Sequence, residues 1–210
     1  AREVGGDYYD FLPDGRGGLY VAVGDVTGKG LPAGLVMVMA RSLLLPLVED
    51  GLPTRDIVVR ANRHMFANTD KKTFMSLLLL HWDPVAKVLV YTGAGHEHLI
   101  LLPTTEEKPR VFRAGGMALG LSDKHESAFV EKQIPFEVGD VLVLYTDGVT
   151  EAEDKDRNQF TLERMVRTVH RYRNLDPEAL LQATIDRLAE HVGAAEQSDD
   201  ITLVVAKRSK

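Results

Sequence analysis

Four aspartates stand where carboxylates could do chemistry. Asp7 lies in Val4-Gly5-Gly6-Asp7-Tyr8-Tyr9-Asp10, and Asp25 in Val23-Gly24-Asp25-Val26-Thr27-Gly28-Lys29-Gly30. Asp147 lies in Leu144-Tyr145-Thr146-Asp147-Gly148, and Asp199 in Ser198-Asp199-Asp200-Ile201-Thr202. Each sits at the boundary of an apolar, strand-like run. A strand end is rigid on one side and open on the other, which suits a ligand that must be held firmly while facing water. Glycines beside Asp25 and Asp147 let the backbone approach an ion or a phosphate closely. Carboxylates from distant parts of a chain are the expected supply for hard cations such as Mg²⁺ and Mn²⁺. Two such cations about 3.5–4 Å apart can clamp phosphoryl oxygens and lower the pKa of a bridging water. An aspartate beside glycine is also a common turn residue or cap. One alone would therefore carry little; four together carry more, without naming a reaction.

The elements that would position these residues can be read from the pattern. Asp7 to Leu12 and Leu19 to Asp25 flank the Gly-rich turn Pro13 to Gly18 and predict a hairpin. Pro32 suits the first turn of a helix to about Val48, apolar nearly all round, as a helix buried between layers would be, with Pro46 bending or fraying its end. Thr54 is a candidate cap for a second helix, Arg55 to Asn68. Strands are expected at Phe74 to Trp82, Lys87 to Thr92, His98 to Leu102 and Glu126 to Ile134. Val141 to Tyr145 reads as a strand buried on both faces. Two helices follow. Leu162, Met165, Val166, Val169 and Tyr172 mark one; Leu181, Ile185, Leu188 and Val192 mark the other, capped by Asp176 with Pro177 behind it. Ile201 to Ala206 closes the chain as a strand. No linker divides the 210 residues, so one domain is expected.

Composition excludes several classes of chemistry. There is no cysteine, hence no disulfide, thiolate metal site or cysteine nucleophile. A net charge of −6 makes nucleic acid a poor partner. Leu31 to Val48 is the most apolar stretch, but it contains Arg41 and Pro46 and is short for a span, so no membrane segment is expected. His96 and His98 read as a turn and a strand entrance, with no third metal ligand nearby. Glu151, Glu153, Asp154 and Asp156 read as a solvated acidic helix start. Asp10 suits either a carboxylate behind the metal ligands or a partner for a base.

An ordered set of motifs covers nearly the whole chain. It runs through Val4 to Phe11, Gly24 to Gly30, Tyr91-Thr92-Gly93-Ala94-Gly95-His96, Leu119-Gly120-Leu121, Gly139-Asp140, Tyr145 to Ala152 and Asp199 to Val205. The set resembles the PPM (type 2C) serine/threonine protein phosphatases, in the bacterial SpoIIE/RsbU-like branch. The resemblance implies an α+β fold, an αββα four-layer sandwich with two mainly antiparallel sheets between helix pairs. It implies two divalent cations, Mn²⁺ or Mg²⁺, held by Asp7, Asp25, Asp147 and Asp199 as catalytic carboxylates. Val26 would offer its backbone carbonyl, and Asp200, asparagine in many relatives, would stand beside Asp199. The implied reaction is hydrolysis of phosphoserine or phosphothreonine on a protein by a metal-bridged hydroxide, with no phosphoenzyme. The implied substrate is a phosphorylated anti-sigma factor antagonist. Arg2, five residues before Asp7, has the spacing of the family's phosphate-binding arginine. Two departures stand out. Gly93 replaces a frequent asparagine, and Asp25 to Gly30 lacks the histidine that eukaryotic members carry.

Relatives place this domain after sensory domains. The chain, which starts without methionine, is expected to be the catalytic part of a longer cytoplasmic signalling protein that lacks its first strand here. A homodimer is compatible with that arrangement, and the helix after Asp25 is the natural element to couple an upstream sensor to the metal. Two other readings stay open: a non-catalytic phosphoprotein-binding module of the same fold, and a two-metal nucleotidyl cyclase, suggested by Gly5-Gly6-Asp7.

Overall fold

The computed structural model describes residues 4–209. In chain order the elements are β1 (Asp7–Pro13), β2 (Leu19–Val26), α1 (Leu31–Glu49), α2 (Thr54–Asn68), β3 (Met75–Asp83), β4 (Val88–Ala94) and β5 (His96–Leu102). Then come β6 (Arg110–Gly115), a 3-10 turn (Glu126–Ala128), β7 (Glu131–Ile134), β8 (Val141–Tyr145), α3 (Asp147–Thr150), α4 (Thr161–Arg171), α5 (Pro177–Val192) and β9 (Leu203–Lys207). The chain forms two compact units. One contains the residues up to Glu97 together with Ala114–Pro135; the other contains His98–Arg113 and the residues from Phe136 onward.

The first unit is built on the sheet β1-β2-β3-β4-β7, antiparallel at every pairing. The predicted hairpin is present, with Asp7 opposite Asp25 and Pro13 opposite Leu19. Leu77 and Leu79 of β3 join a core with Val36, Ala40 and Leu44 of α1 and Ile57, Ala61 and Met65 of α2. Each fully buried large aliphatic side chain there contributes about 1.5–3 kcal/mol. Helix α1 differs from the expectation of burial all round. Its Ala33, Val36, Ala40, Leu44 and Val48 stripe is buried, while Leu31, Leu35 and Val38 are exposed. It is long and apolar enough to cross a membrane by length and composition alone. It also runs through Pro46 to Glu49. Thr54 is not a cap: Pro53 holds that position without a side-chain bond. The buried Thr54 hydroxyl instead meets the Thr92 hydroxyl at 2.8 Å and the Glu131 carboxylate at 2.7 Å, which ties α2 to the sheet. The stretch expected as one strand from Glu126 breaks into the 3-10 turn and β7, and Arg63 clamps the turn through both Glu126 oxygens.

The second unit carries the sheet β6-β5-β8-β9. Strand β8 is buried along its whole length, as its apolar run predicts. Ile100, Val143 and Tyr145 pack with Met165 and Val169 of α4 and Leu180 and Leu188 of α5. Asp176 caps α5, accepting from Ala179 N at 2.8 Å. β6, a short strand exposed at its start and buried at Ala114, lies outside the expected strands, and the four-residue α3 lies outside the expected helices. The acidic run after Asp147 is a loop rather than a helix start. Asp154 accepts from the backbones of Asp156 and Asn158, and α4 begins only at Thr161.

Two buried aspartates each hold a turn together. Asp140 accepts from Thr104 N at 2.7 Å, Thr104 Oγ1 at 3.0 Å and Glu137 N at 2.8 Å. Replacing it with alanine strands those donors, so Asp140→Ala is expected to cost roughly 3 kcal/mol or more in urea unfolding. Asp14 closes the β1–β2 turn. Burial alone would raise its carboxyl, but hydrogen bonds from Arg16 N, His81 Nε2 and Gly18 N outweigh that and hold it below the ordinary aspartate range. Because the folded value is lowered, the stabilisation is present above the unfolded value of about 3.9 and is lost as pH falls through the folded one. Asp14→Asn should therefore be less stable than the parent at pH 7, and the gap should close on acidification below about pH 4. Urea midpoints measured across that range test it.

Candidate metal centre

In the first unit, strand pairing sets two carboxylates side by side. Asp7 opens β1, Asp25 is the penultimate residue of β2, and the two are register partners across the hairpin. Both are half-buried. Like charges directly opposite on adjacent strands disfavour pairing, and a cation removes that cost. Asp25 is held from behind. Its N–H donates to Ser76 Oγ at 3.2 Å, and Ser76 Oγ lies 3.2 Å from His96 Nδ1. Val26 N donates to Gly6 O at 3.0 Å, and Thr27 N to Phe74 O at 3.0 Å.

Gly6 completes a cradle. A Cβ on it would lie 2.6 Å from Asp25 Oδ1, 2.6 Å from Val26 O and 3.0 Å from Gly28 O. One carboxylate and two carbonyl oxygens thus converge beside a residue with no side chain. An all-oxygen set of this kind suits Mg²⁺ or Mn²⁺, and the Val26 carbonyl is one of its three oxygens. Gly28 and Gly30, at φ 86° and 81°, carry the loop from this cradle into α1 through a backbone conformation that side chains disfavour.

In the second unit a different device brings Asp147 and Asp199 into one neighbourhood. Thr146 N donates to Thr202 O at 3.1 Å, and Thr202 N donates to Thr146 Oγ1 at 3.0 Å. A Cβ on Gly148 would lie 1.8 Å from Asp200 O and 3.6 Å from the Asp199 Cβ, so only glycine lets these segments pass so closely. Asp147 begins α3, and Asp199 and Asp200 precede β9; all three are half-buried. Asp199 Oδ1 accepts from Asp200 N at 3.0 Å. Within either unit, the described residues form no cluster of three or more Asp, Glu or His side chains. Each unit supplies a carboxylate pair.

The remaining candidates separate cleanly. Asp10 is a partner for a base: Arg41 Nε donates to it at 2.8 Å and Tyr8 OH at 3.3 Å. Burial, and then the Asp10 charge, push the Tyr8 hydroxyl far above the ordinary tyrosine range. His96 works through Ser76. Arg2 lies outside the described residues. Ser76 was missed from the sequence, although a lone hydroxyl between Met75 and four leucines was a legible signal.

The sequence model of the family described as Stage II sporulation protein E (SpoIIE) matches residues 15–209. The chain belongs to the SpoIIE family. It is 28% identical over 210 residues to the phosphoserine phosphatase RsbU of Bacillus subtilis, a match covering 99% of this chain and 61% of RsbU. The SiaA type 2C phosphatase domain of Pseudomonas aeruginosa superposes with a TM-score of 0.83 at 22% identity, over 99% of this chain and 81% of that one. The RsbU and RsbW domains of Rv1364c from Mycobacterium tuberculosis match with a TM-score of 0.79 at 24% identity, over 98% and 56%. These likenesses show the fold: the α+β, αββα sandwich of type 2C phosphatase domains. The chain spans about three fifths of the length of the curated relative RsbU.

If the Gly6 cradle holds a cation, filling it should displace the ion. Gly6→Ala is expected to weaken Mn²⁺ binding by about 10–100-fold, the range for losing a residue that shapes a ligand's surroundings. The folded circular dichroism signal should stay intact. Manganese titration by calorimetry or electron paramagnetic resonance checks this.

Proposed function

We propose that this chain is a metal-dependent phosphatase acting on phosphoserine or phosphothreonine in a protein. The observation that carries the reading is the pair of carboxylate pairs, Asp7 with Asp25 and Asp147 with Asp199. Each is set at a strand or helix boundary against a glycine that no side chain could replace without a close contact. Both are all-oxygen donor sets, suited to Mn²⁺ or Mg²⁺. Bound divalent cations would supply Lewis-acid polarisation of a phosphoryl group and an acidified water.

The chain's own residues do the positioning. Asp7, Asp25, Asp147 and Asp199 offer carboxylate oxygens, and Val26 offers a carbonyl. Asp200 N holds one oxygen of Asp199 and so orients it. Ser76 and His96 fix the backbone of Asp25 from behind. With no cysteine in the chain, a cysteinyl phosphoenzyme is excluded; direct attack of water on phosphorus is the route that the family resemblance implies. A cyclase reading assigns Asp147 and Asp199 no task.

The family also supports a substrate class. A phosphorylated regulator of the anti-sigma factor antagonist type fits the naming of RsbU as a phosphoserine phosphatase and the pairing of RsbU and RsbW domains in one relative. We place the activity in the cytoplasm, under control of sensory domains elsewhere in a longer protein, with a homodimer as a compatible assembly. Helix α1, which leaves the Asp25 loop directly, is the element that would transmit such control.

Release of phosphate from p-nitrophenyl phosphate, with and without Mn²⁺, tests the core claim. The parent should require Mn²⁺. Asp147→Asn should lose more than the roughly 10–100-fold typical of a residue that only orients a metal ligand. A parent that binds Mn²⁺ and its phosphoprotein yet never releases phosphate would favour the non-catalytic module.

A further inference from the structure

The chain carries a net charge of −6, yet one groove of the second unit is strongly basic. Arg164, Arg167 and Arg171 of α4 and Arg187 and His191 of α5 line a groove of about 520 Å³. The three arginines of α4 recur at spacings of three and four and so share one face of that helix. Like charges at this spacing disfavour a helix; the helix C-terminus beside Arg171 and Glu163 four residues before Arg167 offset part of that cost, and Arg164 has neither.

Acidic neighbours offset only part of the charge. Glu190 accepts a hydrogen bond from Arg187. Glu163 lies 3.8 Å from Arg167, where both side chains are largely exposed and solvent screens the pair. Arg164 donates to His191 Nδ1 at 2.7 Å, and His191 Nε2 lies 2.9 Å from the Asn158 carbonyl. Nδ1 must then accept while Nε2–H donates, so His191 positions Arg164 without cancelling its charge. The Arg171 guanidinium stands 5.7 Å from the centre of the Tyr172 ring. Among the described residues no carboxylate pairs with Arg164 or Arg171.

We propose that this groove binds a phosphate chain, either free polyphosphate or the polyphosphate of a nucleotide. Guanidinium forks match oxyanions bidentately, which suits them to phosphate. Arg164 and Arg171 are seven residues apart, about 10.5 Å along the helix axis. That distance is long for one phosphate group and suits a run of two or three, with Arg167 between. The volume falls in the roughly 300–1,000 Å³ range of small-ligand sites. A run of phosphates presents several adjacent oxyanions to Arg164, Arg167 and Arg171 at once, where an acidic peptide presents one per side chain. Tyr172 also lines the groove with a half-buried aromatic ring whose open side a base can meet. None of these residues belongs to the carboxylate pairs, so the site stands whether or not the phosphatase reading does.

The test is calorimetric titration of the protein with tripolyphosphate, ATP and orthophosphate, in EDTA and at low salt, so that no metal mediates binding. Tripolyphosphate should bind saturably, and orthophosphate at least about tenfold more weakly. The exposed pair Arg164→Gln with Arg171→Gln should weaken tripolyphosphate at least about tenfold, while Arg60→Gln on α2 should change nothing. ATP binding more tightly than tripolyphosphate, with the advantage lost in Tyr172→Ala, assigns the site to a nucleotide; equal affinity assigns it to free polyphosphate. Absence of saturable binding by both ligands overturns the proposal, as does binding that survives the double substitution. A polyglutamate peptide binding as tightly as tripolyphosphate, through the same arginines, overturns it in favour of an acidic protein segment.

Discussion

Two aspartates directly opposite one another across a hairpin set the terms for the first unit. Asp7 and Asp25 are register partners, and like charges so placed work against the pairing that creates them. The hairpin nevertheless forms, because the side chains behind the pair are committed to the core. Leu12, Tyr20 and Ala22 are buried in the cluster under α1 and α2. A one-residue slip would turn that whole set to the other face. Hydrophobic register therefore holds the carboxylates together, and in the metal-centre reading a cation turns their repulsion into binding.

Close backbone approach is the second requirement, and the two units meet it differently. In the first, Gly6 leaves room for Asp25 Oδ1 and two carbonyl oxygens around one spot. In the second, Gly148 lets the start of α3 pass the Asp200 carbonyl, while Thr146 and Thr202 exchange hydrogen bonds. Packing density explains why such positions tolerate no added methyl. Support behind Asp25 comes from Ser76 and His96, which accounts for a hydroxyl between Met75 and the run Leu77 to Leu80.

Charge is distributed unevenly over the chain. The carboxylate pairs and the acidic loop after Asp147 agree with the net charge of −6. The basic groove on α4 and α5 opposes it, and because exposed charges act over about a Debye length of 8–10 Å, such a patch keeps a local potential of its own. Arginine rather than lysine at all four positions adds directional donors to that potential.

Much of this was legible in the residues themselves. Apolar runs and Gly- or Pro-rich turns located the β1–β2 hairpin, β3, β4 and β8, and the Asp176-Pro177 signature located the start of α5. The ordered aspartate motifs by themselves point to the family. What stayed hidden depended on neighbours distant in sequence. Thr54 looked like a cap but bonds to Thr92 and Glu131, 38 and 77 residues away. Asp10 could not be assigned until Arg41 stood beside it. Helix α1 read as buried all round because composition records apolar content, not which face meets the sheet. Local spacing determined which residues could serve, because secondary structure follows short-range pattern. Tertiary structure alone decided which of them meet, because hydrogen-bond partners and close glycine contacts are made between segments that the chain order keeps apart.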